Sequence, residues 1–172
     1  MIKDFLDPEL VLKKLNLKDN FVAADFGCGS GGWAIPLAKM LKKGRVFAID
    51  ILEEPLSALR SKLKLEKILN VDCLRCDVER GTTLLSESCD LVLMTNLLFQ
   101  VEDVKKVMKE GKRVLKQGGK ILVVDWKPEA EIGPKEKISK EKVKEIAKEL
   151  NLKLISEFEA GIYHYGLVFE KK

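Results

Sequence analysis

The sequence contains few histidine, arginine and aromatic residues. It contains one histidine, its 31 basic residues are almost all lysine, and aromatic residues make up 6% of the chain. Nucleic-acid-binding surfaces usually combine arginine with aromatic side chains, so the composition does not favour a nucleic-acid partner, although the lysine-rich composition leaves an RNA partner open. There is no run of 18 apolar residues and no signal-peptide-like apolar core at the amino terminus. We therefore expect a cytoplasmic protein without a transmembrane segment.

The chain is also poor in metal-ligand patterns. Four cysteines are present, and only Cys73 and Cys76, in "CLRC", have the C-x-x-C spacing. This segment has the pattern of a strand, in which positions three apart point to opposite faces, so the two thiols are not placed to chelate one ion. Because the chain offers no second C-x-x-C, we predict no metal site and interpret both cysteines as buried structural thiols.

What the sequence does have is a regular alternation of strand and helix patterns. With 172 residues, 46% of them apolar, we expect one domain over residues 1–172, with residues 1–18 forming an amino-terminal helix that flanks the core. The predicted strands are 21–26, 45–50, 71–76, 90–95, 120–126, 152–160 and 162–170. The helix pattern before residue 120 extends to the glycine pair Gly118 and Gly119, which suits a helix end.

Apolar strands separated by helices predict a parallel sheet that is covered on both faces. The last two predicted strands are joined by a short turn, so they must form an antiparallel hairpin. The predicted fold class is therefore α/β, with a Rossmann-like, mostly parallel seven-stranded sheet, helices on both faces and an antiparallel last strand.

A glycine-rich loop follows the first predicted strand, in "VAADFGCGSGGWAI". Gly27, Gly29 and Gly32 have the G-x-G-x-x-G spacing of dinucleotide-binding loops, and Gly31 adds a further point of close backbone approach. The second strand ends in Asp50, which can accept hydrogen bonds from both ribose hydroxyls. These features suit both NAD and S-adenosylmethionine.

Two further acids favour S-adenosylmethionine over NAD. Asp25 precedes the glycine loop, where it would repel a pyrophosphate but attract a ligand that carries an ammonium and a sulfonium. Asp77 follows the third strand, where it can accept a hydrogen bond from the adenine amine. A helix-dipole or turn role remains the alternative for each acid. An NAD-dependent oxidoreductase and a non-catalytic cofactor-binding scaffold stay open as alternative functions.

The successive segments "VAADFGCGSG", "VFAID", "LRCDV", "CDLVLMTNLLFQVED" and "VLKQGGKILVVDW" resemble the motifs of class I S-adenosylmethionine-dependent methyltransferases. The resemblance covers about residues 8–170 and is strongest to the small-molecule branch that includes the ubiquinone/menaquinone-biosynthesis methyltransferases. It implies a methyltransferase that uses S-adenosylmethionine and a small or lipid-like acceptor. An RNA or protein acceptor is kept as an alternative, and no feature of the sequence predicts the oligomeric state.

The resemblance also implies roles for individual residues. The loop glycines would cradle the methionine portion with the help of Asp25, Asp50 would hold the ribose, and Asn96 would lie under the methionine portion. The full predicted cofactor-binding set is Asp25, Gly27, Cys28, Gly29, Gly31, Asp50, Ile51, Asp77, Val78 and Asn96. The segment "TNLLFQ" lacks the Asn/Asp-Pro-Pro-aromatic signature of related enzymes that methylate nucleobases, which disfavours that acceptor.

Candidate catalytic residues lie in "GIYHYG", at the start of the last predicted strand. Methyl transfer can proceed by alignment and exclusion of water, so a base is needed only where the acceptor must lose a proton. His164, the single histidine, and Tyr163 are our candidates, with a purely structural histidine as the alternative. On a strand, His164 would face away from both Tyr163 and Tyr165. Asp125 and Trp126, at the end of the fifth strand, are further candidates for substrate binding.

Overall fold

The computed structural model describes residues 5–172. The strands in this range form one mixed sheet of seven strands. The strands are β1 (Val22–Phe26), β2 (Arg45–Asp50), β3 (Val71–Arg75), β4 (Cys89–Thr95), β5 (Leu115–Trp126), β6 (Leu152–Gly161) and β7 (His164–Lys171). Their order in the sheet is β3-β2-β1-β4-β5-β7-β6. The pairs from β3 to β5 are parallel, whereas β7 runs antiparallel to both β5 and β6. The predicted fold class is confirmed.

The helices follow the predicted alternation. They are α1 (Pro8–Leu12), α2 (Ala34–Met40), α3 (Glu53–Leu65), α4 (Val104–Val114) and α5 (Lys140–Glu149), with 3-10 turns at Lys13–Leu15 and Leu98–Gln100. Helix α1 begins after Asp7, whose Oδ1 accepts a hydrogen bond from the Glu9 N–H at 3.0 Å. Residues 1–4 of the predicted amino-terminal helical segment lie outside the described residues. No helix within residues 5–172 is long and apolar enough to cross a membrane.

One boundary differs from the sequence prediction. Helix α4 ends at Val114, and Leu115 already pairs with Cys89 of β4. The glycine pair therefore does not end a helix. It lies within β5, where Gly118 has a φ of 74° and the pairing of β4 with β5 shifts register as at a β-bulge. The helix pattern continued past Val114 because Leu115 is buried like the residues of the helix before it.

Two apolar cores cover the two faces of the sheet, which explains why the central strands contain runs of consecutive apolar residues. The first core contains Ala24 and Phe26 of β1 together with residues of α4 and α5. The second contains Ala23 of β1 together with residues of α1, α2 and α3. Because strand residues alternate between faces, Asp25 lies on the face of the second core. The carboxyl ends of β1 to β5 and the amino end of β7 meet at one rim of the sheet.

Candidate functional site

The glycine loop between β1 and α2 is fastened to the end of β2. The Cys28 N–H donates to the Ile49 carbonyl at 2.9 Å, and the Gly29 N–H donates to Oδ2 of Asp50 at 2.9 Å. The loop can make this path because Gly29 and Gly31 adopt left-handed conformations, with φ of 53° and 95°. The acid that was predicted to bind ribose therefore also positions the loop.

Two glycines of this loop serve different purposes. A Cβ on Gly31 would lie 2.4 Å from Cδ1 of Leu59, so Gly31 allows α3 to pack against the loop. A Cβ on Gly29 would meet nothing within 4 Å. The Gly29 backbone therefore faces open space, as expected where a ligand lies against the chain.

A cavity of about 360 Å³ opens beside the loop. Six residues of the predicted cofactor-binding set line it, namely Gly27, Gly29, Asp50, Ile51, Asp77 and Val78. The other wall residues were not predicted from the sequence, namely Ile49, Leu52, Pro55, Cys76, Glu79, Leu97, Gln100 and Val101. The last three immediately follow the fourth strand, so their position after a strand end at the rim was the available signal.

The Asp50 carboxylate has acceptor capacity left for a ligand. Its Oδ1 accepts from the Leu52 N–H at 3.0 Å, and its Oδ2 accepts from Gly29. Each carboxylate oxygen has two lone pairs, so one on each oxygen is free of these backbone bonds. This arrangement can accept the two hydroxyls of a ribose.

The Asp25 carboxyl is fully buried, and neither of its oxygens has a hydrogen-bond partner of good geometry within residues 5–172. Burial above all, with the nearby Asp50 carboxylate, raises the pKa of Asp25 to about 8. A buried polar group without a partner costs about 1–3 kcal/mol. The Ala34 N–H opposes this rise in pKa only in part, so a cationic group that reached Asp25 would satisfy an incompletely paired acceptor.

Asp77 combines a turn role with its place in the cavity wall. Its Oδ1 accepts from the Glu79 N–H at 3.0 Å, and its Oδ2 lies 3.3 Å from Nε of Arg80. The turn alternative is thus present, and the adenine-binding role stays a prediction.

Four predicted cofactor-binding residues do not line the cavity. Asp25 is buried, Gly31 packs on Leu59, and the Cys28 side chain is buried with its Sγ 3.4 Å from the Gly29 carbonyl. Asn96 has a φ of 50°, and its buried Oδ1 has no partner within residues 5–172. These residues support or flank the cavity instead of forming its surface.

The two C-x-x-C thiols are less buried than predicted. Cys73 and Cys76 are both half-buried, and they pack against opposite cores. Cys76 lies beyond the end of β3 and contributes to the cavity wall, because the strand is one residue shorter than predicted.

The candidate catalytic residues lie further along the rim, in a group of rings that we call the aromatic cluster, made of Phe5, Trp126, Tyr163 and His164. His164 pairs with Trp126 across β7 and β5, and their ring centroids are 4.3 Å apart. Neither His164 nor Tyr163 lines the cavity beside the glycine loop.

The prediction that His164 faces away from both tyrosines was wrong for Tyr163. The strand begins at His164, so Tyr163 lies in the turn, and both residues contact the ring of Phe5. Tyr165 does point to the other face, where its hydroxyl donates to the Ile138 carbonyl at 3.0 Å.

Asp125, at the end of β5, connects this strand to the segment that follows β4. Its Oδ2 accepts from the Leu98 N–H at 3.0 Å, and its Oδ1 accepts from the Trp126 N–H at 2.8 Å. Burial raises the pKa of Asp125 to about 6, against the opposing effect of these backbone donors. The residue holds the segment after β4, whose neighbouring residues form part of the cavity wall, and so has a positioning role there.

Comparison with known proteins agrees with this geometry. A family model described as a methyltransferase domain matches residues 24–123. A crystal structure of a SAM-dependent methyltransferase from Aquifex aeolicus is 30% identical, covers 98% of this chain and 91% of its own, and superposes with a TM-score of 0.90. The PH0226 protein from Pyrococcus horikoshii, at 23% identity, a TM-score of 0.83 and coverage of 99% and 89%, shares the fold. The chain belongs to the family of S-adenosylmethionine-dependent methyltransferases.

Curated relatives match a shorter part. The demethylmenaquinone methyltransferase of Geobacillus sp. (strain WCH70) is 28% identical over 126 residues, which are 73% of this chain and 53% of that protein. The corresponding enzyme of Halalkalibacterium halodurans is 30% identical over 66% of this chain and 46% of its own length. The chain therefore spans about half the length of these curated relatives.

The residues present fit S-adenosylmethionine as the cofactor. The open side of Gly29 gives the ligand access to the backbone, Asp50 retains acceptor sites for a ribose, and the Asp25 carboxyl has no partner of good geometry within residues 5–172. The assignment of the cofactor made from the sequence is confirmed by the family.

Proposed function

We propose that this protein transfers a methyl group from S-adenosylmethionine to a small, lipid-like acceptor related to demethylmenaquinone. The family supports the cofactor, and the names of the relatives that match 73% and 66% of this chain support the acceptor class. The observation that carries the proposal is the buried Asp25 carboxyl, without a hydrogen-bond partner of good geometry within residues 5–172, on the strand that leads into the open backbone of Gly29. A dinucleotide would bring a pyrophosphate to this point, whereas the ammonium of S-adenosylmethionine supplies the charge that Asp25 lacks.

The cofactor-binding residues act by orientation. S-adenosylmethionine supplies a methyl group made electrophilic by a positively charged sulfur. Asp50 would accept hydrogen bonds from the ribose hydroxyls, Asp77 would accept one from the adenine amine, and Asp25 in its ionised form would pair with the ammonium. The apolar side chains of Leu97 and Val101 in the cavity wall exclude water from the bound cofactor. Alignment of this kind supplies much of the catalysis in a displacement reaction.

His164 is our candidate for handling a proton of the acceptor. Burial lowers the pKa of His164, against a smaller opposing effect of the Phe5 backbone, so the imidazole is neutral near pH 7. A neutral ring can accept a proton at whichever of Nδ1 and Nε2 lacks one. Tyr163 is adjacent and would contact the acceptor. A His164→Ala variant that keeps full turnover on the true acceptor would contradict the role as a base.

The cofactor assignment and the acceptor assignment can be tested separately on the full chain. Calorimetric titration with S-adenosylhomocysteine and with NAD should give binding only for S-adenosylhomocysteine. Mass spectrometry after incubation with S-adenosylmethionine should then detect a methylated product from demethylmenaquinol in detergent, and none from total RNA. Binding of NAD alone would overturn the methyltransferase proposal. Methylation of RNA but not of the quinol would overturn the acceptor class while leaving the cofactor in place.

A matched pair of variants controls the first titration. Asp50→Asn removes the proposed ribose acceptor. Asp19→Asn removes an exposed carboxylate that pairs with Lys43 near the amino ends of β1 and β2, on the side of the sheet opposite to the site rim. Weakened binding in both variants would mean that overall charge, not the site, governs affinity.

A further inference from the structure

The aromatic cluster concentrates residue types that are scarce in this chain. It contains the single histidine, one of two tryptophans, one of two tyrosines and one of seven phenylalanines. These residues come from three distant parts of the sequence, at positions 5, 126 and 163–164, and these parts meet only through the pairing of β5 with β7 and the packing of the amino-terminal segment. Their meeting at the functional rim calls for a reason beyond filling the core.

The ring of Phe5 is surrounded by the other three members of the cluster. Its centroid lies 5.8 Å from that of Trp126, 5.7 Å from that of Tyr163 and 5.5 Å from that of His164. The interplanar angles are 75°, 58° and 69°, so the neighbours meet Phe5 in edge-on or tilted arrangements. Such arrangements are favourable for aromatic pairs, and these three side chains enclose the volume of one six-membered ring.

The imidazole of His164 supplies an independent sign of a ligand. The residue is fully buried, and neither ring nitrogen has a hydrogen-bond partner of good geometry within residues 5–172. Burial lowers the pKa of His164, and the Phe5 backbone makes only a weak contact that partly offsets this effect. Phe5 and Trp126 are the two rings that pack on the imidazole, and the Phe5 side chain can neither donate nor accept a hydrogen bond. A ring that carries a hydroxyl or carbonyl oxygen at the same place would satisfy His164.

The cluster also has the right position relative to the cofactor-binding groups. Trp126 and His164 lie on the same face of the sheet as Asp25, because each continues the alternation of second-core residues along its strand. Only β4 separates β1 from β5. Neighbouring strands are about 4.8 Å apart, so the cluster begins roughly 10 Å from Asp25 along the rim.

We propose that Trp126, Tyr163 and His164 form the binding site for an oxygen-bearing aromatic ring of the methyl acceptor, and that Phe5 occupies this site until the acceptor displaces it. This inference rests on the proposed function, because it places the acceptor of that reaction. Phe5 precedes the helix cap Asp7 by two residues, so its ring leaves the site without unwinding α1. The apparent affinity for the acceptor is then lowered by the fraction of molecules in which Phe5 is in place.

Gly161 offers a second way to open the site without changing any of the rings. A Cβ at this position would lie 2.0 Å from the Phe5 carbonyl oxygen, so any side chain there pushes the amino-terminal segment away. Gly161 has no left-handed backbone conformation, which means that alanine is compatible with its place at the end of β6.

The test uses 1-naphthol as a probe of an oxygen-bearing ring and naphthalene as the matched probe without oxygen. NMR titration of the full chain, saturated with S-adenosylhomocysteine, should give at least tenfold tighter binding of 1-naphthol for Phe5→Ala and for Gly161→Ala than for the unchanged protein. Leu10→Ala is the control, since Leu10 is an exposed apolar residue of the same amino-terminal region. Its affinity should stay within twofold of the unchanged protein.

Two double variants identify the site. Adding Trp126→Leu to Phe5→Ala should abolish the gain for both probes, whereas adding His164→Ala should weaken 1-naphthol at least tenfold and naphthalene less than twofold. Equal affinities in all single variants, or a gain that survives Trp126→Leu, would overturn the inference. Binding of S-adenosylhomocysteine is measured first on the same samples. If the unchanged protein does not bind S-adenosylhomocysteine, the proposed function is contradicted. If it binds S-adenosylhomocysteine normally but the variants show no gain in 1-naphthol affinity, only the inference is contradicted.

Discussion

The two halves of the functional rim are built from opposite chemistry. At the ends of β1, β2 and β3, carboxylates and glycine backbone face a cavity of about 360 Å³. At the end of β5 and the start of β7, aromatic rings pack on one another and bury a histidine whose nitrogens have no hydrogen-bond partner of good geometry within residues 5–172. The first half is suited to a polar, charged ligand and the second to a flat apolar one. A methyl donor and a lipid-like acceptor differ in polarity in this same way. The two halves of the rim can therefore each bind one of the two substrates.

The largest expected effect separates packing from binding within the first half. Gly31→Ala should lower the free energy of unfolding by about 2–4 kcal/mol, because its Cβ would lie 2.4 Å from Leu59 and its φ is 95°. Gly29→Ala should cost only about 1 kcal/mol, since its Cβ meets open space, but it should weaken S-adenosylhomocysteine binding. Urea unfolding and calorimetry measure the two quantities. Equal destabilisation by both substitutions would show that Gly29 is also a packing residue.

A second prediction asks whether the two halves bind independently. Asp50→Asn should weaken S-adenosylhomocysteine about 10- to 100-fold, because hydrogen bonds to charged groups contribute about 1.5–3 kcal/mol. In the Phe5→Ala background it should change 1-naphthol affinity less than twofold. Calorimetry measures the first and NMR titration the second. Asp72→Asn, which removes an exposed carboxylate bound to Arg45, is the control and should change neither. Loss of both affinities in Asp50→Asn would break the separation of the halves.

The third prediction uses the raised pKa of Asp25, about 8. Between pH 6.5 and 7.5 the folded protein holds a proton on Asp25 that the unfolded chain has released, so stability should fall as pH rises, by at most about 1.4 kcal/mol per pH unit. Asp125, whose pKa is about 6, contributes in the same direction mainly below this window, whereas the lowered pKa of His164 opposes the slope, because the unfolded chain binds a proton there that the folded protein does not. Unfolding in urea across the window measures the slope.

Two conditions should flatten this slope. Saturating S-adenosylhomocysteine pairs its ammonium with the ionised Asp25, and Asp25→Asn removes the titrating group. A slope that persists in Asp25→Asn would assign the pH dependence to another group.

The smallest expected effect concerns the second half. A double-mutant cycle of Phe5→Leu and Trp126→Leu should give a coupling energy of about 0.5–1.5 kcal/mol, the range of an aromatic pair. Urea unfolding of the four proteins measures it. The control cycle pairs Phe5→Leu with Leu85→Ala, an exposed residue between β3 and β4, and should give no coupling. No coupling between Phe5 and Trp126 would mean that Phe5 only rests against the cluster.

The residues that meet in the first half of the rim could be predicted from the sequence, whereas those that meet in the second half could not. Asp25, the glycines and Asp50 lie within one strand-loop-helix-strand unit, so local pattern predicts their meeting. Phe5 and Trp126 are 121 positions apart in the numbering and meet only after β7 has inserted beside β5. No local pattern specifies that contact.

The same physical limit explains the smaller differences. The fold class followed from the alternation of apolar strands and helices, which is a property of each segment by itself. The wrong orientation of Tyr163 came from placing the start of β7 two residues early, and a strand boundary depends on the partner strand. The walls at Leu97 and Val101 depend on how Asp125 holds the segment after β4.

Within the described sheet, β6 is an outer strand and pairs with β7 alone. Local opening events have free energies that range from near zero to the global value, and an outer strand with one neighbour opens at the low end. The amide protons of β6 should therefore exchange with solvent sooner than those of β1, which lies between β2 and β4. Since β6 leads into the turn that carries Tyr163 and precedes His164, the aromatic cluster is attached to one outer edge of the sheet, as the cavity wall at the end of β3 is attached to the other. In hydrogen-exchange terms, β1 would report the global unfolding of the protein and the two outer strands its partial opening.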